Sequence, residues 1–185
     1  PKNRKKIITE IIKSSKRAEM YEHVRKELQA GRQVYVICPR IDEPDPEKEL
    51  AIQAKSARAE AKRLQEKNFP EFEVGLMHGK LKPKDKEETM QEFANGEIDI
   101  LVSTSVVEVG VNVPNATIIM IEGAERFGLA QLHQLRGRVL RSSHQAYCYI
   151  FSDTTNAKSM ERLKALVETK SGFDLAEKDL ALRGA

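Results

Sequence analysis

The chain alternates short runs of β-branched and other apolar residues with longer segments of helical periodicity. The short runs predict five strands, at Val34–Cys38, Glu73–Met77, Ile98–Val102, Ala116–Glu122 and Ala146–Ser152. Strands that alternate with helices are typical of β-α-β units, whose strands pair in parallel. Several runs are apolar nearly throughout, as expected where helices cover both faces of a sheet. The pattern predicts an α/β fold with a mostly parallel sheet flanked by helices.

Helical segments separate these strands. They are predicted at Arg17–Gln29, at Glu47–Asn68, from Pro83 to the Asn95-Gly96 pair, in short pieces after Thr104 and Leu129, and at Ala157–Thr169. The segment "GFDLAEKDLALRG" near the end of the chain predicts one more helix, and the leading "KKIITEIIK" is an extra strand or an arm.

Composition limits the class of protein. With 185 residues, 40% of them hydrophobic, the chain can bury one full core, so we expect one compact domain. A net charge of +3 favours a nucleic-acid partner too weakly to prove one. Cys38 and Cys148 lie in apolar runs without metal-ligand spacing, which predicts reduced core residues. No initiating Met, signal segment or membrane run is present, so we expect a fragment of a longer cytoplasmic protein.

Polar and basic residues follow three predicted strands. Arg40 follows the first strand, Gly79 and Lys80 the second, and Ser103 and Thr104 the third. Ligands of open parallel sheets bind beyond the carboxyl ends of the strands, and hydroxyls before a helix suit an anion. Each residue has an ordinary alternative, as a helix cap or a surface charge. Their joint placement predicts a track for a phosphodiester backbone.

Three arginines stand within six positions of the stretch "QLHQLRGRVLRSS", at Arg136, Arg138 and Arg141. On a helical turn Arg138 and Arg141 share one face, Gln134 lies four residues before Arg138, and Gly137 leaves room for close approach. An arginine supplied by a neighbouring domain stabilises the charge that develops in phosphoryl transfer. The alternative is a basic helix face solvated by water.

Two kinds of site are absent from the sequence. It contains no G-x-x-x-x-G-K-[ST] loop and no Asp-Glu pair placed after a strand to hold Mg²⁺, so we expect that the domain alone neither holds nor activates ATP. No metal site is predicted within the chain. A small-molecule α/β enzyme would need a nucleophile and a base, and neither His78 nor His133 has an obvious serine or cysteine partner.

The stretch "GEIDILVSTSVVEVGVNVPNATIIMIEGAERFGLAQLHQLRGRV" resembles the second RecA-like motor domain of superfamily 2 helicases, and among them the RecG family of ATP-dependent DNA helicases. "GRQVYVICP", "GLMHGKLKPKDKEETMQEFANGE" and "GFDLAEKDLALRG" extend the match over nearly the whole chain from Gly31 to Gly184. The resemblance implies a RecA-like three-layer domain over residues 1–170. Residues 171–185 would begin a C-terminal helical hairpin that couples ATP turnover to DNA translocation.

The resemblance also implies roles for single residues near the nucleotide. Helicase motif V falls on Thr104–Pro114, where Gly110 and Asn112 would lie near the nucleotide. Motif VI falls on Gln134–Arg141, whose arginines at 138 and 141 would act as arginine fingers, with Gly137 between Gln134 and these fingers close to the phosphates. Arg138, Arg141 and Gln134 are therefore the predicted catalytic residues.

Motif IV falls on "VYVICPR", which contains Arg40, and the hydroxyls of Ser103 and Thr104 would touch the DNA strand. The implied partners are branched or forked DNA and the N-terminal RecA-like lobe of the same protein. That lobe would provide most of the contacts that hold ATP and Mg²⁺. We expect a monomer without membrane contact, an ATP hydrolase only as part of the complete protein.

Two residues depart from the family pattern: Leu140 stands where the family has glycine, and Asn112 where an aspartate is usual. Two alternative functions stay open. One is the motor lobe of a transcription-repair coupling translocase, which "EVGVNVP" and "GFDLAEKDLALRG" disfavour. The other is a non-catalytic nucleic-acid-binding module that uses the basic strand ends without an ATP cycle.

Overall fold

The computed structural model of the chain describes residues 6–39, 41–104, 113–139 and 143–169. Within these ranges, strands and helices alternate along most of the chain. The strands are β1 Ile8–Ile12, β2 Gln33–Ile37, β3 Val74–Met77, β4 Ile100–Ser103, β5 Ala116–Ile121 and β6 Tyr147–Phe151. The helices are α1 Arg17–Gln29, α2 Pro46–Arg63, α3 Pro83–Ala94, α4 Leu129–Arg136 and α5 Ala157–Glu168.

The six strands form one sheet in the order β1-β6-β5-β2-β4-β3, and every described pair is parallel. All residues of β2, β4 and β5 are buried. One core contains Phe93 of α3, Leu132 of α4 and Leu163 of α5, and a second contains Val24 of α1 and Ala57 of α2. Helices therefore cover both faces, and the predicted three-layer α/β fold is confirmed.

Local sequence explains where α2 begins. The side chain of Asp45 accepts a hydrogen bond from the Glu47 N–H at 3.0 Å, and Pro46 occupies the first helical turn, where its missing N–H costs nothing. The predicted single helix over Glu47–Asn68 ends as an α-helix at Arg63 and continues as a π-helical turn over Leu64–Asn68. The predicted element is present, with a different last turn.

The leading segment, predicted as a strand or an arm, forms β1 and pairs with β6 over its whole length. The predicted strand at Ile98–Val102 begins two residues later, at Ile100, because the Ile98 N–H bonds Glu92 of the preceding helix region instead of a strand. The helix expected after Thr104 and the segment 171–185 lie outside the described residues. The division at residue 170 therefore stays a prediction.

Both cysteines are free and buried, as predicted. Burial raises the pKa of Cys38 and of Cys148 to about 12. Among the described helices, none has the length and apolar character needed to cross a membrane.

Candidate nucleic-acid and nucleotide interfaces

Backbone hydrogen bonds tie together the carboxyl ends of β2, β4 and β3, which are neighbours in the sheet. The Cys38 N–H donates to the Ser103 carbonyl at 2.8 Å, and the Thr104 N–H donates to the Met77 carbonyl at 3.2 Å. Four of the five predicted DNA-binding residues therefore lie near one edge of the sheet, which we call the carboxyl edge. The fifth, Arg40, lies outside the described residues.

Ser103 and Thr104 are only 2% and 4% exposed. Ser103 is the last residue of β4, and Thr104 follows it directly. The sequence predicts both residues at a strand end, where they lie, but no feature of the sequence indicated that they are buried. Their contact with DNA stays a prediction.

The turn after β3 carries the exposed residues Gly79 and Lys80. It is held by His78, whose Nδ1 accepts the Lys80 N–H at 3.1 Å and whose carbonyl accepts the Leu81 N–H at 3.2 Å. A Cβ added at Gly79 would lie 2.6 Å from Cδ2 of Leu50 on α2. The sequence predicted that this glycine lets the backbone come close to a bound partner. Within the described chain, the residue that comes close to it is Leu50.

His78 is 7% exposed and sits among positive charges. Its pKa is lowered, first by burial and then by the charges of Arg58, Lys86 and Lys80. The ring is therefore mostly neutral at pH 7. Since Nδ1 accepts a hydrogen bond, the proton is on Nε2.

Arg136, the first of the three clustered arginines, is buried, with 5% of its surface exposed. Its guanidinium donates to the Leu166 carbonyl in the last turn of α5 at 2.7 Å and lies 3.3 Å from Nδ1 of His133. Burial lowers the pKa of Arg136. This arginine joins α4 to α5 and belongs to the interior.

Arg138 is half-buried in a 3-10 turn, Gly137–Val139, that follows the end of α4. Burial raises the pKa of Tyr35 to about 12, and the positive charge of Arg138 opposes this rise, so the two groups are within electrostatic range. Gln134 is exposed in α4. The helix tightens to a 3-10 turn between Gln134 and Arg138, and the common face expected for this pair stays a prediction.

Arg141, Gly110 and Asn112 lie outside the described residues. The order of the strands nevertheless limits where the turn that contains Arg138 lies. Strands β5 and β6 are parallel neighbours, so the connection between them must return from the carboxyl end of β5 to the amino end of β6. Arg138, near the end of this connection, therefore lies toward the amino edge of the sheet. Arg138 is thus separated along the strands from Gly79, Lys80, Ser103 and Thr104, which lie at the carboxyl edge.

An ion pair that the sequence did not predict lies at the carboxyl edge, next to the end of β5. The Arg17 guanidinium donates two hydrogen bonds of 2.7 Å to the Glu122 carboxylate and lies 4.4 Å from the centre of the Phe151 ring. The next residue, Gly123, has φ +56°, and a Cβ there would lie 2.7 Å from Cβ of Pro39. Glu122 is a charged residue at the end of the predicted apolar strand Ala116–Glu122, and nothing in the sequence indicated its partner.

Residues 15–143 match the model of the helicase conserved C-terminal domain. The chain belongs to this helicase family. The chain spans about a quarter of the length of the curated relatives it matches, 22% and 26% for the two described next.

This helicase C-terminal domain is 47% identical over 184 residues to the ATP-dependent DNA helicase RecG of Synechocystis and 47% identical over 184 residues to that of Bacillus subtilis. Each match covers 100% of the chain. The predicted resemblance to the RecG family is confirmed.

Among solved structures, the domain matches RecG bound to a three-way DNA junction with a TM-score of 0.80 and 42% identity, over 97% of this chain and 22% of that one. Domain 2 of the DEAD-box helicase Mss116p, bound to an RNA duplex, matches with a TM-score of 0.61 over 94% of this chain and 68% of that one. Its identity is 15%, so this second likeness shows the fold alone.

Proposed function

We propose that the chain is the second motor lobe of an ATP-dependent DNA helicase that remodels branched DNA in recombination and replication-fork repair. One observation carries the proposal: the match to RecG bound to a three-way DNA junction covers 97% of the chain at 42% identity. The two-ended arrangement of candidate residues supports it, because a motor lobe must meet a nucleotide and a nucleic acid at the same time.

At the amino edge, Arg138 and Arg141 act as arginine fingers on a triphosphate held by the other RecA-like lobe, with Gln134 beside them. The half-buried Arg138 suits this role, because a guanidinium on a short turn is restrained and still within reach of a docked partner. Gly110, Asn112 and Gly137 border the nucleotide.

The other lobe supplies the phosphate-binding loop and the carboxylates for Mg²⁺, which neutralises charge on the phosphates. Within the described ranges, this chain has no group of three or more His, Cys, Asp or Glu residues placed to hold a metal ion. The residues present fit the arginine-donating half of an ATP site.

At the carboxyl edge, Arg40, Gly79, Lys80, Ser103 and Thr104 form the path of a DNA strand. The exposure of Gly79 and Lys80 supports this assignment. The backbone hydrogen bonds between the ends of β2, β3 and β4 support it as well, since they hold the three strand ends in one row. We propose that the complete protein works in the cytoplasm as a monomer, which sedimentation of the purified protein would check.

The test compares the complete protein with the 185-residue chain. We expect ATP-dependent remodelling of a labelled three-way junction by the complete protein, and ATP hydrolysis no faster than buffer by the chain alone. DNA-stimulated hydrolysis by the chain, with contaminating ATPases excluded, would refute the half-site assignment. Displacement of a stalled RNA polymerase, without any remodelling of protein-free junctions, would identify a transcription-repair translocase instead.

A further inference from the structure

A crevice opens where the loops after β1 and β6 leave the sheet on opposite sides. Strands β1 and β6 are parallel neighbours. The chain continues from β1 into α1, whose buried Val24 belongs to one core, and from β6 into α5, whose buried Leu163 belongs to the other. Ligands of open parallel sheets bind beyond the carboxyl ends of the strands at such a point, where neighbouring loops diverge. The topology therefore marks this crevice as a candidate binding site.

A cavity of about 360 Å³ lies in this crevice. Small-molecule sites in proteins usually measure about 300–1,000 Å³, so the cavity is large enough for a ligand. The polar residues of its wall follow three neighbouring strand ends: Ser14 and Arg17 after β1, Glu122 and Glu125 after β5, and Ser152 and Asp153 after β6. The wall thus contains one guanidinium and three carboxylates.

The guanidinium of the wall already has its counter-ion. Arg17 donates to both carboxylate oxygens of Glu122 at 2.7 Å and to the Tyr21 hydroxyl at 3.0 Å. A phosphate would have to displace this two-pronged ion pair, and it would then meet the carboxylates of Glu125 and Asp153. The cavity is therefore poorly suited to an anion and well suited to a cation.

Glu125 supplies a buried acceptor that lacks a partner. It lies in the 3-10 turn Ala124–Arg126, its Oε2 is buried, and within the described part of the chain this oxygen accepts no hydrogen bond. Arg162 donates to the Glu125 and Phe127 carbonyls, at 3.3 and 3.1 Å, so it holds the backbone of the turn and not the carboxylate. A buried polar atom without a hydrogen bond is costly, which indicates a partner that binds there.

Asp153 is the exposed carboxylate of the same cavity. It accepts hydrogen bonds from the Ser14 N–H, at 2.9 Å, and from the Ser14 hydroxyl. These hydrogen bonds, and then the charges of Arg17 and Lys13, lower the pKa of Asp153, so it is ionised at pH 7. One buried and one exposed carboxylate favour a ligand that is cationic and carries several N–H donors.

We propose that the cavity at the ends of β1, β5 and β6 binds a guanidinium group, with the Glu125 carboxylate as its buried partner and Asp153 as its exposed one. A planar guanidinium presents a fork of N–H donors that matches a carboxylate. A metal ion would need three or more carboxylate, His or Cys ligands close together, and the described residues contain no such group. The site goes beyond the proposed function, since neither the proposed DNA path nor the arginine fingers use these residues.

The probe is N-acetyl-arginine N-methylamide, titrated at constant ionic strength into the isotope-labelled 185-residue chain and followed by NMR. We expect saturable shifts of the Ser14 and Gly123 amide signals. Glu125→Gln should weaken binding about tenfold or more, because it removes the charge of a hydrogen-bond acceptor. Glu87→Gln, which removes an exposed carboxylate from α3, is the matched control and should bind as the wild type does. The citrulline analogue has nearly the same shape without the charge and should not bind.

Two further measurements separate ligand binding from a structural role. Glu125→Gln should unfold at no lower temperature than the wild type, because the carboxylate it replaces has a buried oxygen without a partner. Asp153→Asn changes an exposed residue and should weaken binding several-fold while the chain stays folded. Agmatine carries the guanidinium without peptide groups. Binding of the capped arginine assigns the site to an arginine side chain of a protein, and binding of agmatine alone assigns it to a free guanidine compound.

The contrary outcomes are equally definite. Binding of the citrulline analogue as tightly as of the arginine compound would show that charge does not matter, which overturns the proposal. Unchanged affinity in both Glu125→Gln and Asp153→Asn would overturn it too, as would the lack of a saturable shift with either guanidinium compound. None of these results would touch the motor assignment, which stands or falls with junction remodelling by the complete protein.

Discussion

Changing Arg136 to alanine tests whether this arginine is structural. The guanidinium donates a 2.7 Å hydrogen bond to Leu166 in the last turn of α5. A hydrogen bond from a charged donor contributes about 1.5–3 kcal/mol. A cation at the C-terminus of a helix contributes about 0.3–1 kcal/mol more. Burial of the charge, which lowers the pKa of Arg136, offsets part of this gain. We expect a net loss of about 2 kcal/mol.

For a chain of this size, that loss corresponds to a decrease in Tm of about 4–8 °C. The assay is thermal and urea unfolding of the 185-residue chain, followed by circular dichroism. Arg58→Ala is the matched control: it removes an exposed arginine from a helix and should change the free energy of unfolding by less than about 0.5 kcal/mol. If Arg136→Ala unfolds at the wild-type temperature, the bond between α4 and α5 does not stabilise the domain.

Three further outcomes are expected. Arg138→Ala in the complete protein should reduce ATP turnover by about two orders of magnitude or more with little change in DNA affinity, as steady-state kinetics and anisotropy would show. Cys38 and Cys148, buried with pKa values raised to about 12, should react with Ellman's reagent at pH 8 only when the chain is unfolded. Burial and nearby cations lower the pKa of His78 and of His133 in the folded chain. Below about pH 6.5 the unfolded chain therefore binds more protons than the folded chain, so acid favours unfolding. The urea concentration at the unfolding midpoint should decrease from pH 7.5 to pH 5.5.

Each of these outcomes has a clear opposite. Loss of DNA affinity in Arg138→Ala, with turnover per bound DNA intact, would favour the nucleic-acid-binding module. Rapid labelling of either cysteine in the folded chain would contradict its burial. A urea midpoint that is independent of pH across this interval would show that the proton affinity of the two rings does not change on unfolding. The same conclusion would follow if the midpoint still varied equally with pH after both histidines were replaced by asparagine.

Most of the fold could be predicted from sequence because its strands are apolar and because α2, α3 and α5 begin at a proline or a polar cap. Helix α1 has the predicted bounds, and the five predicted strands differ from the structure by at most two residues at either end. The order of the strands could not be predicted, since it depends on which long-range pairs form. The π-helical turn at Leu64–Asn68 could not be predicted either, because its residues continue the periodic pattern of the helix before it.

The sequence predicted where the candidate site residues lie along the strands better than it predicted how buried they are. Gly79 and Lys80 lie at a strand end, as sequence reasoning expects, but the burial of Ser103 depends on strands distant in sequence. The cluster of arginines shows the same limit: spacing marks Arg136 and Arg138 as near neighbours, and only the packing of α5 places one inside the domain. The ion pair between Arg17 and Glu122 joins residues 105 positions apart, beyond any local pattern.

The separation of the two interfaces along the strands has a mechanical consequence. The central strands are buried on both faces, so the sheet moves as a rigid body. A strand of six residues such as β5 spans about 20 Å. If the amino edge of the sheet stays against the nucleotide while the lobe tilts, the carboxyl edge moves through an arc. Neighbouring nucleotides of one DNA strand are about 3.4 Å apart, so in the proposed motor a tilt of about 10° would move the carboxyl edge by one nucleotide. In that proposed function, a small closure of the ATP cleft would suffice for a single step, with no bending inside the domain.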